Sequence, residues 1–439
     1  MTDAEAMVAP MPRGDAEQER ESVEMSEVGH ARDRQAGVTQ GLTIVAGSSL
    51  PVMGVVLLSP VAFPMQKALA AMSGGSLRMG AIALTAPALA IAIFSPIGGL
   101  LVDRLGRRRM LLASLFLYGI LGVLPLFLSH PIAIVAARFG LGITEAVILA
   151  VNFALIGDYF VGPSRDKWIA YKASVTGLAA LGFYILGGAL GGISWRAPFA
   201  AYAIAFIVFL IACFVIYEPA VTQRSHAAKQ LGRPTQRVSI PAVAMIFVVT
   251  IVSAILFYVI PLQLGRLLTF RNIESSAQIG QLIAIAGIGN PIGAISFRFV
   301  SQVRLSRLMA ASAVVAGIGL ALAAILPGVT GLVTGAFINQ LGCGMFVPAT
   351  VAAVLRLSPP DHRGTSGGGW SSAFFVGQFL SPLALLQLAE MAPGFDELRL
   401  LAIANFAFAL LAWLAIETVA RSVGHADRAA STELNDLKI

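Results

Sequence analysis

Twelve apolar runs, each about 20 residues or longer, succeed one another along this chain of 439 residues. A helix of that length crosses the hydrocarbon of a bilayer, where every backbone polar group must find its partner inside the structure. The runs lie at about 42–60, 80–102, 109–129, 132–159, 168–193 and 197–217. They resume at about 240–264, 277–297, 308–327, 329–355, 366–389 and 399–418. Twelve spans need about 240 residues, a little over half of the chain. Composition agrees: 57% of residues are hydrophobic and 12% charged, against roughly 45–50% and 25% in soluble domains. Mean hydropathy is +0.81. These figures exclude an ordinary soluble enzyme, a disordered protein and a disulfide scaffold. The expected class is an all-α integral membrane protein of twelve transmembrane helices in two six-helix bundles.

The polar stretches set the organisation. Residues 1–40 read as a disordered cytoplasmic tail, because 1–36 hold nine acids, four bases and no apolar core of a signal peptide. An N-terminal bundle over 41–217, a cytoplasmic linker over 218–239, a C-terminal bundle over 240–418 and a cytoplasmic tail over 419–439 complete the division. Two parallel six-helix repeats are a known transporter plan.

Charge sets the orientation. With the N-terminus inside, the cytoplasmic loops carry Arg104, Arg107, Arg108, Arg109, Arg165, Lys167, Arg224, Lys229, Arg233, Arg237, Arg298, Arg304, Arg307, Arg356 and Arg363. The opposite side carries Lys67, Arg78, Arg196, Arg266, Arg271 and Arg399. Fifteen against six places both termini in the cytoplasm of a multi-pass protein of the cell inner (plasma) membrane. The excess of +7 therefore reads as loop anchoring in the bilayer, not as a nucleic-acid surface. Cys213 and Cys343 lie in apolar runs and the five histidines in tails or loops, so no disulfide framework, metal site or cofactor is expected. No ATP-binding motif or nucleophile motif appears, which speaks against a primary pump and against an enzyme.

Two charges stand apart in the fourth run: Arg138 and Glu145, seven residues apart on one helix face. Charge at membrane depth costs about 2.5–3.5 kcal/mol on insertion scales and usually faces a cavity. The pair either fixes helix contacts or forms a site that responds to protons or substrate. Asn152, Gln281, Asn290, Asn339, Gln340, Gln378 and Asn405 also fall within apolar runs, where each lines a polar path or bridges helices. Asn339 and Gln340 are the preferred partners across a central cavity, because run ten is the second-half counterpart of run four. Tyr184 and Tyr258 are further candidates for an amphipathic pocket.

After the second run comes Gly99-Leu-Leu-Val-Asp103-Arg104-Leu-Gly106-Arg107-Arg108. Physically this is a tight turn with positive-inside anchoring. The order Gly-x-x-x-Asp-Arg-x-Gly-Arg-Arg resembles the signature of the major facilitator superfamily, over roughly 40–420. The resemblance implies a conformational latch, in which Asp103 faces the start of the eleventh helix at Arg363-Gly364 and Gly367-Gly368-Gly369. The corresponding loop of the second half departs, with Gly293 followed by Phe297 and Arg298. Arg138 and Gly142 match the family's fourth-helix pattern. Their extension to Glu145-Ala146 resembles organic-anion symporters and spinster-like lipid transporters, which implies a proton-coupling role for Glu145. The first run holds no acid, unlike those relatives. Gly187, Gly188, Gly191 and Gly192 allow close helix packing and resemble the family's antiporter motif, with Gly188 where proline stands.

The expected function is secondary transport by alternating access, with proton-coupled export of a small, largely apolar organic compound. Proton-coupled uptake of an organic anion, with Arg138 on the carboxylate, is the alternative, and a non-transporting sensor or scaffold a third class. The expected partners are a small-molecule substrate, protons and the lipid bilayer, with no nucleic acid, and the expected state is a monomer.

Overall fold

The computed structural model describes residues 36–219, 240–300, 302–358, 363–391 and 396–436. Most of the expected N-terminal tail and linker lies outside them. Twelve helices are long and apolar enough to cross a membrane. In the first half they are α1 (Val38–Met72), α2 (Leu77–Gly98), α3 (Arg107–Leu126), α4 (Pro131–Tyr159), α5 (Pro163–Gly191) and α6 (Ala197–Val215). In the second they are α7 (Ala242–Thr269), α8 (Ser276–Val300), α9 (Leu305–Ile325), α10 (Gly328–Leu357), α11 (Ser366–Leu388) and α12 (Glu397–Thr418). The helix of α2 continues to Leu105 and that of α12 to Asp436, so the backbone over much of the expected C-terminal tail is helical.

Each half buries its own apolar core. Ile44, Leu50, Tyr118, Ile148, Leu155 and Phe199 belong to that of the first half, and Val249, Met309, Phe346 and Phe408 to one of the second. The helices meet through small residues, as lipid-embedded helices do where van der Waals contact drives association. A Cβ at Gly319 would collide with the Asn339 backbone, and one at Gly342 with Ser312 and Ala316.

Two prolines shape the first bundle. Pro60 stands in a 3-10 turn over Ser59–Val61 that breaks α1 between Val38–Val56 and Ala62–Met72. The sequence reading ends this span near residue 60. In the fold Gln66 is buried and α2 packs on it at Gly80, so the helix continues under cover. Pro87 lies inside the α2 helix and has no N–H to give the carbonyl four residues back, that of Ala83.

The halves close against each other at the end far from the tails. Ser59 donates to the Pro261 carbonyl, Phe63 meets Phe270 edge-on at 5.5 Å, and Thr85 donates to the Phe379 carbonyl at 3.4 Å. Arg78 grips both oxygens of Glu390 at 2.9 and 2.7 Å. That ion pair is more than half exposed on both sides, where such pairs contribute about 0–1 kcal/mol. Glu390→Gln is therefore expected to change transport less than about fivefold, a bound set by that energy, checked by initial rates in vesicles.

Candidate functional site

The site forms where α1 breaks. The last carbonyls of the Val38–Val56 helix have no intrahelical donors, and Gly54 is one of these residues. Arg138, 1% exposed, reaches across from α4 and satisfies it, its Nη2 donating to the Gly54 carbonyl at 2.5 Å. The same nitrogen donates to the Leu84 carbonyl at 3.2 Å, and Nε donates to the Ala83 carbonyl freed by Pro87, also at 3.2 Å. Nη1 donates to the Tyr202 hydroxyl of α6 at 2.8 Å. One guanidinium thus ties α1, α2, α4 and α6 together.

Gly142 makes this reach possible. A Cβ there would collide with Pro87 and meet Ala90, so α4 and α2 approach to a distance that only glycine permits. Tyr118 donates to the Leu50 carbonyl at 2.6 Å and its ring lies 5.6 Å from that of Tyr202, which holds the hydroxyl in place.

Glu145 points at the same glycine from one side. Its carboxylate occupies the space that a side chain at Gly54 would take. It is 1% exposed, and neither oxygen accepts a hydrogen bond. Arg138 and Glu145 therefore converge on Gly54 instead of pairing within their helix. Seven residues further, Asn152 lies over Gly47 with both amide atoms unpartnered. Glu145 over Gly54 and Asn152 over Gly47 form a buried polar line between α4 and α1, seven residues apart on each antiparallel helix.

The second half supplies an aromatic wall. Trp370, Phe374 and Gln378 recur every four residues on one face of α11. Trp370 stacks on Phe374 at 5.4 Å, and Phe374 meets Tyr258 and Phe257 of α7 edge-on at 5.6 and 5.9 Å. Gln378 is 1% exposed and its Oε1 has no partner. Gln340 donates to the Phe257 carbonyl at 3.4 Å and to Asn339 Oδ1 at 3.2 Å. Asn339 itself donates to the Ala316 carbonyl at 3.0 Å, so its amide bridges α10 to α9 and does not reach across a cavity. Tyr184 is buried among Val259, Ile260 and Ile283.

The glycines of α5 form a seam on two sides. A Cβ at Gly187 would collide with the Leu57 carbonyl and one at Gly191 with Val61, both in α1. Gly188 faces Gly280 of α8 so closely that a Cβ would meet the Gly280 Cα at 2.9 Å. Gly192 faces only its own helix, near the Ala189 carbonyl. Gly188→Val is expected to hold the far end open. A cysteine introduced at the seam should then react with an impermeant thiol reagent several-fold faster than in the parent, and equal rates would refute the expectation.

Around the basic loop, Gly99 lies within the helix of α2, while the side chains of Asp103 and Arg363 lie outside what the structure describes. Arg104 is exposed. Gly106 turns the chain at φ +88°, open to glycine. The amides of Arg107 and Arg108 that open α3 donate to the carboxylate of Glu218 at 2.7 and 2.9 Å. In return the Arg108 side chain donates to the Ile216 and Cys213 carbonyls at 2.7 and 2.9 Å, capping the end of α6. Arg107 pairs with Asp158 at the end of α4. These described contacts staple three helix ends of the first half. Glu218, Asp158, Tyr202 and Gly54 were not picked out by sequence reasoning. Glu218 and Asp158 carried a signal, one an acid directly after an apolar run and the other an acid at the end of one. Glu218→Ala is expected to lower stability by about 1 kcal/mol, as loss of an N-terminal cap does, read by thermal unfolding in detergent.

Comparison with known proteins gives the same outline. The sequence profile of the Major Facilitator Superfamily matches residues 44–316. The tetracycline resistance protein of class G from Vibrio anguillarum is 34% identical over 190 residues, 43% of this chain and 46% of that protein. The match thus spans under half of that relative's length. The quinolone resistance protein NorA of Staphylococcus aureus is 24% identical over 310 residues, 67% of this chain and 77% of its own. Among solved structures, a D-xylose–proton symporter superposes with a TM-score of 0.72 at 16% identity, covering 85% of this chain and 97% of that one. At that identity the likeness is one of fold.

Proposed function

Since the chain belongs to the Major Facilitator Superfamily and is a multi-pass membrane transporter, we propose that it exports a small, largely apolar organic compound in exchange for protons. The observation that carries this reading is Glu145, a buried carboxylate with two unpartnered oxygens at the break of α1. A charge so placed is costly. A proton taken up there removes the charge, and its release restores it, so protonation biases the packing of α4 on α1. Asn152, unpartnered on the same line, offers the next polar group along the path.

Arg138 is a positioning residue in this scheme. Its donors are held by Gly54, Ala83, Leu84 and Tyr202, which leaves little to bind a substrate carboxylate and argues against uptake of an organic anion. The aromatic wall of Trp370, Phe374 and Tyr258, with Gln340 and Gln378 as polar points, suits a flat apolar substrate. The tetracycline and quinolone resistance relatives support the direction, as do the glycines of α5. In this reading both termini are cytoplasmic, which the excess of basic residues in the loops on that side supports, and the linker over 218–239 joins the two bundles of a protein that works as a monomer.

The test is flux in proteoliposomes. A thermal-shift screen against drugs, organic acids, sugars and lysolipids selects the compound, and opposed proton and substrate gradients are then applied. Export predicts that an outward substrate gradient drives protons inward through the protein. Accumulation of substrate together with protons would overturn it.

A further inference from the structure

The second half holds a cavity of about 570 Å³ at the tail-side ends of its helices, formed wholly by residues from Ala242 onward. Its size falls in the range of about 300–1,000 Å³ typical of small-molecule sites. Met245, Phe297, Leu308 and Ala353 are among its apolar walls, and Arg304 and Arg356 are its two cations. We propose that this cavity binds a single-chain anionic amphiphile, alkyl chain inside and headgroup on Arg304 and Arg356.

The two halves differ at this corner. In the first, the carboxylate of Glu218 caps the start of α3, and the rings of Tyr159 and Tyr217 stack beside it at 4.7 Å. In the second, Glu417 at the end of α12 does the matching work at the start of α9, accepting from Ser306 Oγ at 3.0 Å. There the end of α10 supplies Arg356 and Leu357 where α4 supplies Asp158 and Tyr159. Arginine and leucine thus stand in the second corner where the first has an acid and an aromatic, and both line the cavity.

Charge selects the occupant. Glu417 meets Arg304 at 3.6 Å, a loose contact with the arginine side chain 70% exposed. Arg356 is exposed and has no ion pair among the described residues. Two guanidiniums against one carboxylate leave an excess of positive charge at the rim of an apolar space. Basic pockets between helices on this side of a membrane suit anionic headgroups, and guanidinium binds carboxylate in a bidentate fork. The linker residues 220–239, which precede α7 in the sequence, carry four bases and no acid, so their charge opposes their lying on the same arginines.

Titration calorimetry of the purified full-length protein tests this, with oleate, oleyl alcohol and acetate as probes below their aggregation limits. Oleate is expected to bind saturably, oleyl alcohol at least tenfold more weakly and acetate not at all. The double variant R304Q/R356Q should bring oleate down to the affinity of the alcohol. A353F, which puts a ring into the wall, should weaken both at least tenfold. If A353F does not fold, the arginine pair decides. Equal affinity for oleate and its alcohol, or an unchanged double variant, would overturn the proposal. So would absence of saturable oleate binding, which would leave the cavity to the chain's own C-terminal tail.

Discussion

Arg138→Lys is expected to lose most of the folded protein, with the unfolding midpoint falling by roughly 6–20 °C. The guanidinium supplies four hydrogen bonds from a fixed plane to acceptors on three other helices. Lysine keeps the charge but offers a compact ammonium, which does not reproduce that fork. The Ala83 carbonyl cannot recover a helical donor, because Pro87 has no N–H to give, and the Gly54 carbonyl lies where α1 breaks ahead of Pro60. Leaving partners of a buried charged group unsatisfied costs about 3–5 kcal/mol, a large part of the usual margin of about 5–15 kcal/mol. Tyr202→Phe removes only one of the four acceptors and is expected to cost about 1–3 kcal/mol. Thermal unfolding of both variants in one detergent separates the cases. An Arg138→Lys protein as stable as Tyr202→Phe would show that the guanidinium does not hold the four helices.

The contrast shows which parts of the molecule were legible in the sequence. All twelve spans follow from apolar length, because a membrane helix needs little else to declare itself. The continuation of α1 past its break to Met72 was not legible, since it carries Gln66, which is buried only because α2 covers it. Arg138 and Glu145 stood out as charges at depth, yet their partners are backbone atoms, and any residue carries those. Pro87 was visible in the chain, but the carbonyl it frees gains meaning only when Gly142 lets α4 come close. Asn339 and Gln340 matched run four by position alone, and packing gave the Asn339 amide to Ala316. The aromatic face of α11 was there to be found at spacing four, behind the stronger glycine signal that precedes it.

Glu145→Gln is expected to have the opposite profile from Arg138→Lys: a folded protein that no longer couples substrate to protons. Glutamine nearly matches glutamate in volume, so the space over Gly54 stays filled. Neither carboxylate oxygen takes part in a hydrogen bond that the substitution would break. The new amide brings two donors into a buried place, at a cost of about 1–3 kcal/mol, and removes a charge whose burial costs about 2.5–3.5 kcal/mol on insertion scales. These terms nearly cancel, and the unfolding midpoint should move by a few degrees at most. Function should change far more, because an amide does not take up and release a proton as a carboxylate does. Substrate-driven proton movement is expected to fall at least a hundredfold, the equivalent of about 2.7 kcal/mol, while substrate-induced thermal stabilisation persists. Two readouts are therefore needed on one preparation: proton flux with a pH-sensitive dye in the vesicle lumen, and ligand-dependent melting. Retained proton flux in a well-folded Glu145→Gln protein would remove the carboxylate from the coupling scheme. Loss of flux together with ligand binding would instead make Glu145 part of the substrate site.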